Sequence, residues 1–277
     1  MRRGAMRRTL LAVFAHPDDE SFATGGTLAR YAQAGVRVVL ACATRGEAGI
    51  VHEEGVPPPK DMGKVREEEL RCACRVLGVE ELRFLDYRDS GIAGAPDNDH
   101  PRALIRADPE EVVSRIVALF REFRPEVVVT FGPDGGYGHP DHIAIHNHTR
   151  VAWERADALE RPPRKLYYLA RPRGALRRLR LKMWELGLID RPPDEEEIER
   201  FGLPDDQVTT QLDIRPYLEV KRQALRCHRT QLPPNSPWLR LPPEEMVELW
   251  GYEWFTLASG RGVSFGGAED DLFAGLE

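Results

Sequence analysis

Short, almost continuously apolar runs alternate along this chain with longer stretches whose apolar residues recur at helical spacing. Residues 10–15, 36–43, 82–85, 127–131 and 166–169 read as strands. Between them, residues 21–34 form a helix with a Gly-Gly start and Gly35 as its stop. Residues 64–77 carry Val65, Leu70, Ala73, Val76 and Leu77 on one face and end at Gly78. Pro109 opens a helix whose stripe is Val112, Val113, Ile116, Val117, Leu119 and Phe120, and residues 139–155 form the next. Repeated βα units with apolar strands predict an α/β fold with a Rossmann-like, mostly parallel sheet and helices on both faces.

The pattern changes after Arg171. Residues 191–197 read as a linker into an acidic helix start, 208–214 as a half-exposed strand and 217–229 as a helix. A loop at 233–237, a proline-started helix through Trp250 and a strand at 253–257 follow, and the Gly-rich, acidic end from Ser259 reads as frayed. The expected division is an α/β core at 7–171, a smaller C-terminal elaboration packed on it at 172–258, and a flexible tail at 259–277.

Composition narrows the classes. The 277 residues carry a mild net charge of −6 without a basic stripe interleaved with aromatics, which argues against a nucleic-acid partner. The basic run Arg173, Arg177, Arg178, Arg180 and Lys182 reads as a solvated helix face, with an anionic ligand or membrane surface as the alternative. Residues 1–8 are basic, but the apolar run behind them is too short for a secretory core, and no stretch reaches the length of a membrane span. A cytoplasmic protein is expected. Its four cysteines, at 42, 72, 74 and 227, are accordingly expected as thiols rather than as a disulfide or a zinc site.

Candidate chemistry sits at two strand ends. The run 10–15 leads into His16-Pro17-Asp18-Asp19-Glu20, and the run 127–131 leads into Gly135-Gly136-Tyr137-Gly138-His139-Pro140-Asp141-His142. Open α/β sheets bind ligands at such strand ends. His16 and Asp19, three apart across a turn, can converge on one ion, and His142 can supply a third ligand. Each acid taken singly could instead cap a helix. The spacing of His142 and His146 also suits a metal, although one face of that helix must pack on the sheet, which favours a packing role for His146 and His148. His52 and His100 carry little signal, and His228 reads equally as structural or site-lining.

At these residues the chain resembles the LmbE-like (PIG-L) superfamily of zinc-dependent N-acetylglucosamine deacetylases. Both signature motifs, Ala-His-Pro-Asp-Asp-Glu at 15–20 and Gly-His-Pro-Asp-His at 138–142, are intact. The segments 44–49, 66–70 and 87–91 agree, and 88–94 with 137–139 are nearest to the mycothiol-pathway branch. The resemblance implies that His16, Asp19 and His142 hold zinc, which iron can replace in principle. It implies Asp18 as general base, His139 as oxyanion stabiliser or amine acid, Asp141 as the group orienting His139, and Tyr137 as a polariser of the amide carbonyl. Glu47, Arg66 and Asp89 would contact the sugar or its aglycone. The substrate class implied is a small amino-sugar conjugate, carrying inositol, malate or similar; whether copies of the chain assemble is left open. An amidase for larger acyl groups on thiol-sugar conjugates is the neighbouring alternative, and a non-catalytic sugar- or nucleotide-binding domain the distant one.

Overall fold

A computed structural model describes residues 7–52, 57–263 and 267–276. The first half of the chain supplies β1 (Thr9–Phe14), α1 (Asp19–Gln33), β2 (Arg37–Cys42), α2 (Met62–Leu77), β3 (Glu81–Phe84) and α3 (Pro109–Phe123). Next come β4 (Val127–Thr130), the single turn α4 (Gly135–Gly138), α5 (Pro140–Arg155), β5 (Lys165–Ala170), α6 (Arg173–Glu185) and α7 (Glu195–Phe201). The chain closes with β6 (Thr210–Asp213), α8 (Leu218–Cys227), α9 (Pro237–Arg240), α10 (Pro243–Trp250) and β7 (Tyr252–Gly260).

The strands form one sheet in the order β3-β2-β1-β4-β5-β7-β6. β1 to β5 are parallel, and β7 runs antiparallel to both β5 and β6. Every residue of β1 and β4 is buried, as strands covered on both faces require. The path from β1 to β3 moves one way along the sheet, and the path through β4 to β5 moves the other. Right-handed crossovers therefore place α1 and α2 on one face and α3 and α5 on the opposite face. α8 packs on α1 and α2, so the segment after 171 both completes that layer and extends the sheet.

Three expectations need correction. Gly25 and Gly26 lie inside α1 rather than at its start, because the helix approaches its neighbours closely there. A Cβ on Gly26 would stand 2.6 Å from Cβ of Ile214, and one on Gly25 3.0 Å from the stem of Lys221. Cys72 and Cys227 are joined in a disulfide across the α2–α8 contact, while Cys42 and Cys74 are buried free thiols. The two bonded residues are 155 positions apart, and the helix packing that brings them together leaves no mark in local spacing.

The expected flexible tail is packed where it is described. Leu272, Phe273 and Leu276 are buried, and Glu269 accepts from Nζ of Lys165 at 2.7 Å and from the Tyr167 hydroxyl at 2.5 Å. Lys165 is buried in β5 and needs that carboxylate, which ties the acidic end to the sheet. Residues 1–6 of the basic terminus, and residues 264–266 and 277 of the tail, lie outside the described residues. The basic run is not an anion site awaiting a partner: Arg173, Arg177 and Arg180 of α6 pair with Glu199, Glu195 and Glu197 of α7. Among the described residues, no helix is long and apolar enough to cross a membrane.

Candidate active site

The sheet order reverses between β1 and β4, so the loops leaving these two strands bound a crevice at their C-terminal ends. The first loop turns sharply. Asp18 has φ of 107°, a left-handed conformation that costs a residue with a Cβ about 1–3 kcal/mol. Several contacts hold it there. Its amide donates to Oε2 of Glu20 at 3.0 Å, and its carbonyl accepts the amides of Ser21 and Phe22. Arg66, buried in α2, donates from Nη2 to the Pro17 carbonyl at 2.5 Å and to Oδ2 of Asp18 at 3.2 Å, and from Nη1 to the Gly46 carbonyl. Asp18 occupies the cap position of α1, yet its side chain makes no cap bond.

Behind the same loop, Oδ2 of Asp19 accepts the His16 amide at 2.7 Å. Across the crevice, Pro140 starts α5, and His139 at its cap accepts the Asp141 amide on Nδ1 at 3.2 Å. That bond leaves the His139 proton on Nε2. Nδ1 of His142 meets the Gly135 carbonyl at 2.9 Å, and Nε2 of His16 meets Asp141 at 3.0 Å and Asp89 at 3.3 Å. Asp141 also accepts the Ser90 amide, and Asp89 the amides of Gly91 and Ala48.

These outer bonds fix the tautomers. With Nε2 of His16 and Nδ1 of His142 donating outward, Nδ1 of His16 and Nε2 of His142 face each other with bare lone pairs at 3.2 Å. The Asp19 carboxylate completes the set, 3.3 Å from His142 and 3.8 Å from His16. Histidines whose far nitrogens donate to a carboxylate or a carbonyl are the usual metal-ligand arrangement. Two ring nitrogens and a carboxylate confronting one another could hold a cation between them, and the donor set fits a divalent metal ion. Other buried groupings with donors mutually within 4.8 Å are His16, His139 and His142, and His16, Asp89 and Asp141. The facing set uses the two nitrogens that the outer hydrogen bonds leave bare, on His16 and His142.

The electrostatics agree. Burial opposes charge on His16, but Asp89, with Asp141 and Asp19, outweighs it and raises the imidazole well above its usual range. The acids there demand positive charge. Burial also disfavours ionised Asp19, yet His142 and His16 hold it well below the usual carboxylate range. Asp18 is different: burial pushes it up to about 6 against the pull of Arg66. Burial, with the charges of His16 and His142, lowers His139 to about 4, so it is neutral at pH 7.

The sequence-predicted residues converge, though several are employed differently from expectation. His16, Asp18, Asp19, His139, Asp141 and His142 share the crevice. Tyr137 is half exposed at its rim, with its ring 5.0 Å from that of His142. The Asp141 carboxylate orients His16; only its backbone amide reaches His139. Arg66 and Asp89, expected on the sugar, are spent on the Asp18 loop and on His16, and Glu47 accepts the amides of Arg45 and Asp89. Sequence reasoning missed that Glu20 is buried against His228, Oε1 to Nε2 at 2.8 Å, so His228 braces the carboxylate that holds the Asp18 amide. No local signal links positions 20 and 228. His146 is a packing residue whose Nδ1 donates to the Phe131 carbonyl at 2.9 Å.

A family model described as PIG-L, GlcNAc-PI de-N-acetylase, matches residues 11–153, which hold both motif loops. The chain belongs to the PIG-L family. Among its PIG-L relatives, a 1D-myo-inositol 2-acetamido-2-deoxy-α-D-glucopyranoside deacetylase from Salinispora arenicola is 42% identical, over 97% of this chain and 92% of its own. A protein of the same name from Saccharomonospora viridis is 41% identical, over 96% of this chain and 100% of its own. Of solved structures, the N,N'-diacetylchitobiose deacetylase of Pyrococcus horikoshii superposes with a TM-score of 0.58 at 20% identity, over 90% of this chain and 83% of that one. A 4-carboxy-2-hydroxymuconate hydratase from Pseudomonas putida reaches 0.61 at 21%, over 93% and 98%. One PIG-L-like fold thus serves a hydratase as well as deacetylases, so function must be argued from the site.

Proposed function

We propose that this PIG-L protein removes the acetyl group from an N-acetylglucosamine–inositol conjugate, releasing acetate and the free amine. The observation that carries the reading is the pair of bare nitrogens, on His16 and His142, facing each other and Asp19 beside an Asp18 carboxylate that makes no helix-cap bond and is held by Arg66. The inositol aglycone is taken from the names of the relatives about 40% identical to this chain.

His16, Asp19 and His142 would hold a divalent ion, for which zinc is the natural choice. The nitrogen and carboxylate donors, separated by 3.2, 3.3 and 3.8 Å, would suit such an ion. When bound, the ion supplies a water acidic enough to ionise near neutral pH. Asp18, poised near 6, takes the proton of the attacking water, and the same carboxyl returns it to the departing nitrogen. Arg66 keeps the Asp18 carboxylate turned toward the crevice. His139 is neutral with its proton on Nε2, which suits it to donate a hydrogen bond to the oxygen that becomes negative during attack. Tyr137, at the rim, can donate a second. Asp141 and Asp89 hold His16 in the tautomer that presents Nδ1.

Free-amine release from 1D-myo-inositol 2-acetamido-2-deoxy-α-D-glucopyranoside, from plain N-acetylglucosamine and from a long-acyl thiol-sugar conjugate tests the reading. Acetyl removal, fastest on the inositol conjugate, is expected. Preference for the long acyl group would make this an amidase, and amine from none of the three would end the hydrolase reading.

A further inference from the structure

A pocket of about 220 Å³ opens beside the crevice, and the two share Tyr137 as a common wall. Its other walls come from residue 171 onward: Arg171 just beyond β5, Arg180 on α6, and Asp194, Glu197 and Phe201 on or beside α7. The Tyr137 ring is 5.0 Å from His142 and 6.0 Å from His139, so a molecule reacting in the crevice has its far end within reach of this pocket. We propose that the pocket is an aglycone subsite, and that it takes an uncharged polyhydroxylated ring of the inositol type. The proposal rests on the deacetylase reading above.

Size, charge and order each support that choice. Sites that enclose a whole ligand run to about 300–1,000 Å³; this one is smaller, the size for one ring rather than a disaccharide. Two arginines face two acids, so the lining is neutral overall and gives no advantage to an anionic aglycone such as malate. Charged groups nevertheless make the stronger hydrogen bonds to hydroxyls. The polar groups are also fixed before any ligand arrives. Arg171 donates to the Phe201 carbonyl at 3.2 Å, Arg180 donates to Glu197 at 3.0 Å, and Asp194 caps α7 through the amides of Glu196 and Glu197. Each guanidinium has five donors, so these single bonds leave others for a ligand. The pairing of α6 with α7, which satisfies the basic run, builds the walls of the pocket.

The test replaces a charge pair as a pair, Arg180→Leu with Glu197→Leu, so that neither partner is left alone. A second variant, Asp194→Asn, keeps a good helix cap. For each, kcat/KM is measured on the inositol conjugate, on the malate conjugate and on plain N-acetylglucosamine. The subsite predicts that the ratio of inositol conjugate to plain sugar falls about fivefold or more in both variants. A ratio equal to that of the wild type overturns it, as does a wild type that prefers malate to inositol. If the wild type releases amine from none of these, the deacetylase reading falls and the subsite with it. If the wild type is active and only the ratio fails to respond, the subsite alone falls.

Discussion

Asp18 sits at φ of 107° with its side chain off the helix cap, and Arg66 accounts for where that side chain points. If Asp18 is the base and not a ligand, Asp18→Asn retains bound metal and the fold but loses roughly 100- to 10,000-fold in kcat. Loss of metal from that variant, by elemental analysis, would make Asp18 a ligand. Arg66 acts through Asp18, so Arg66→Met lowers kcat steeply in the wild type and far less in the Asp18→Asn background. Equal losses in the two backgrounds would give Arg66 an independent role. At this scale much was legible: a histidine and acids after an apolar run mark a strand-end site. What could not be read was how each side chain is employed. Asp141 next to a histidine motif gives no hint that its carboxylate turns to His16, and Arg66 on a helix pattern looks like a surface residue.

Two helices show how the elements carry the site. α1 packs so closely on Ile214 that glycine at 26 is required, and the amides of Gly26 and Thr27 donate to the Glu253 carboxylate, which also holds Lys221. Gly26→Ala would gain up to about 1 kcal/mol of helix propensity, but overpacking costs about 1–3 kcal/mol. Three Ile214 side-chain carbons within 2.9 Å put the clash at the upper end, so urea unfolding is expected to show a net loss. A gain in stability would mean that the helix shifts freely. The end of α8 is held by His228 against Glu20. Burial works against the charged imidazole, but Glu20 outweighs it, and the folded-state pKa lies above the ordinary 6.5. A raised pKa gives stability that is fully present below about pH 6.5 and lost as pH rises through the higher folded value. The stability gap between wild type and His228→Gln should therefore be widest in mild acid and narrow toward alkaline pH. A gap that widens with pH would contradict the ion pair.

Across the whole molecule, the parallel half of the sheet was legible because buried strands and amphipathic helices leave periodic marks. β6 and β7 were legible as strands too, at 208–214 and 253–257; their antiparallel pairing, the packed acidic end and the Cys72–Cys227 link depend on contacts between distant segments, which leave no periodic mark. Lys165, in an apolar strand, was the one local hint that an acid must come to meet it. The disulfide closes a span of 155 residues, and links of this kind typically contribute about 2–4 kcal/mol. Reduction should lower the urea midpoint accordingly, and an unchanged midpoint would show the link to be absent or inert. The proposed chemistry of the crevice depends on a metal ion held by His16, Asp19 and His142. Amine release from the inositol conjugate, followed as zinc is added back to chelator-stripped protein, tests it most directly. The stripped enzyme is expected to be inactive, with recovery saturating near one zinc per chain and no recovery in His142→Ala; full activity in the stripped wild type would rule the metal out.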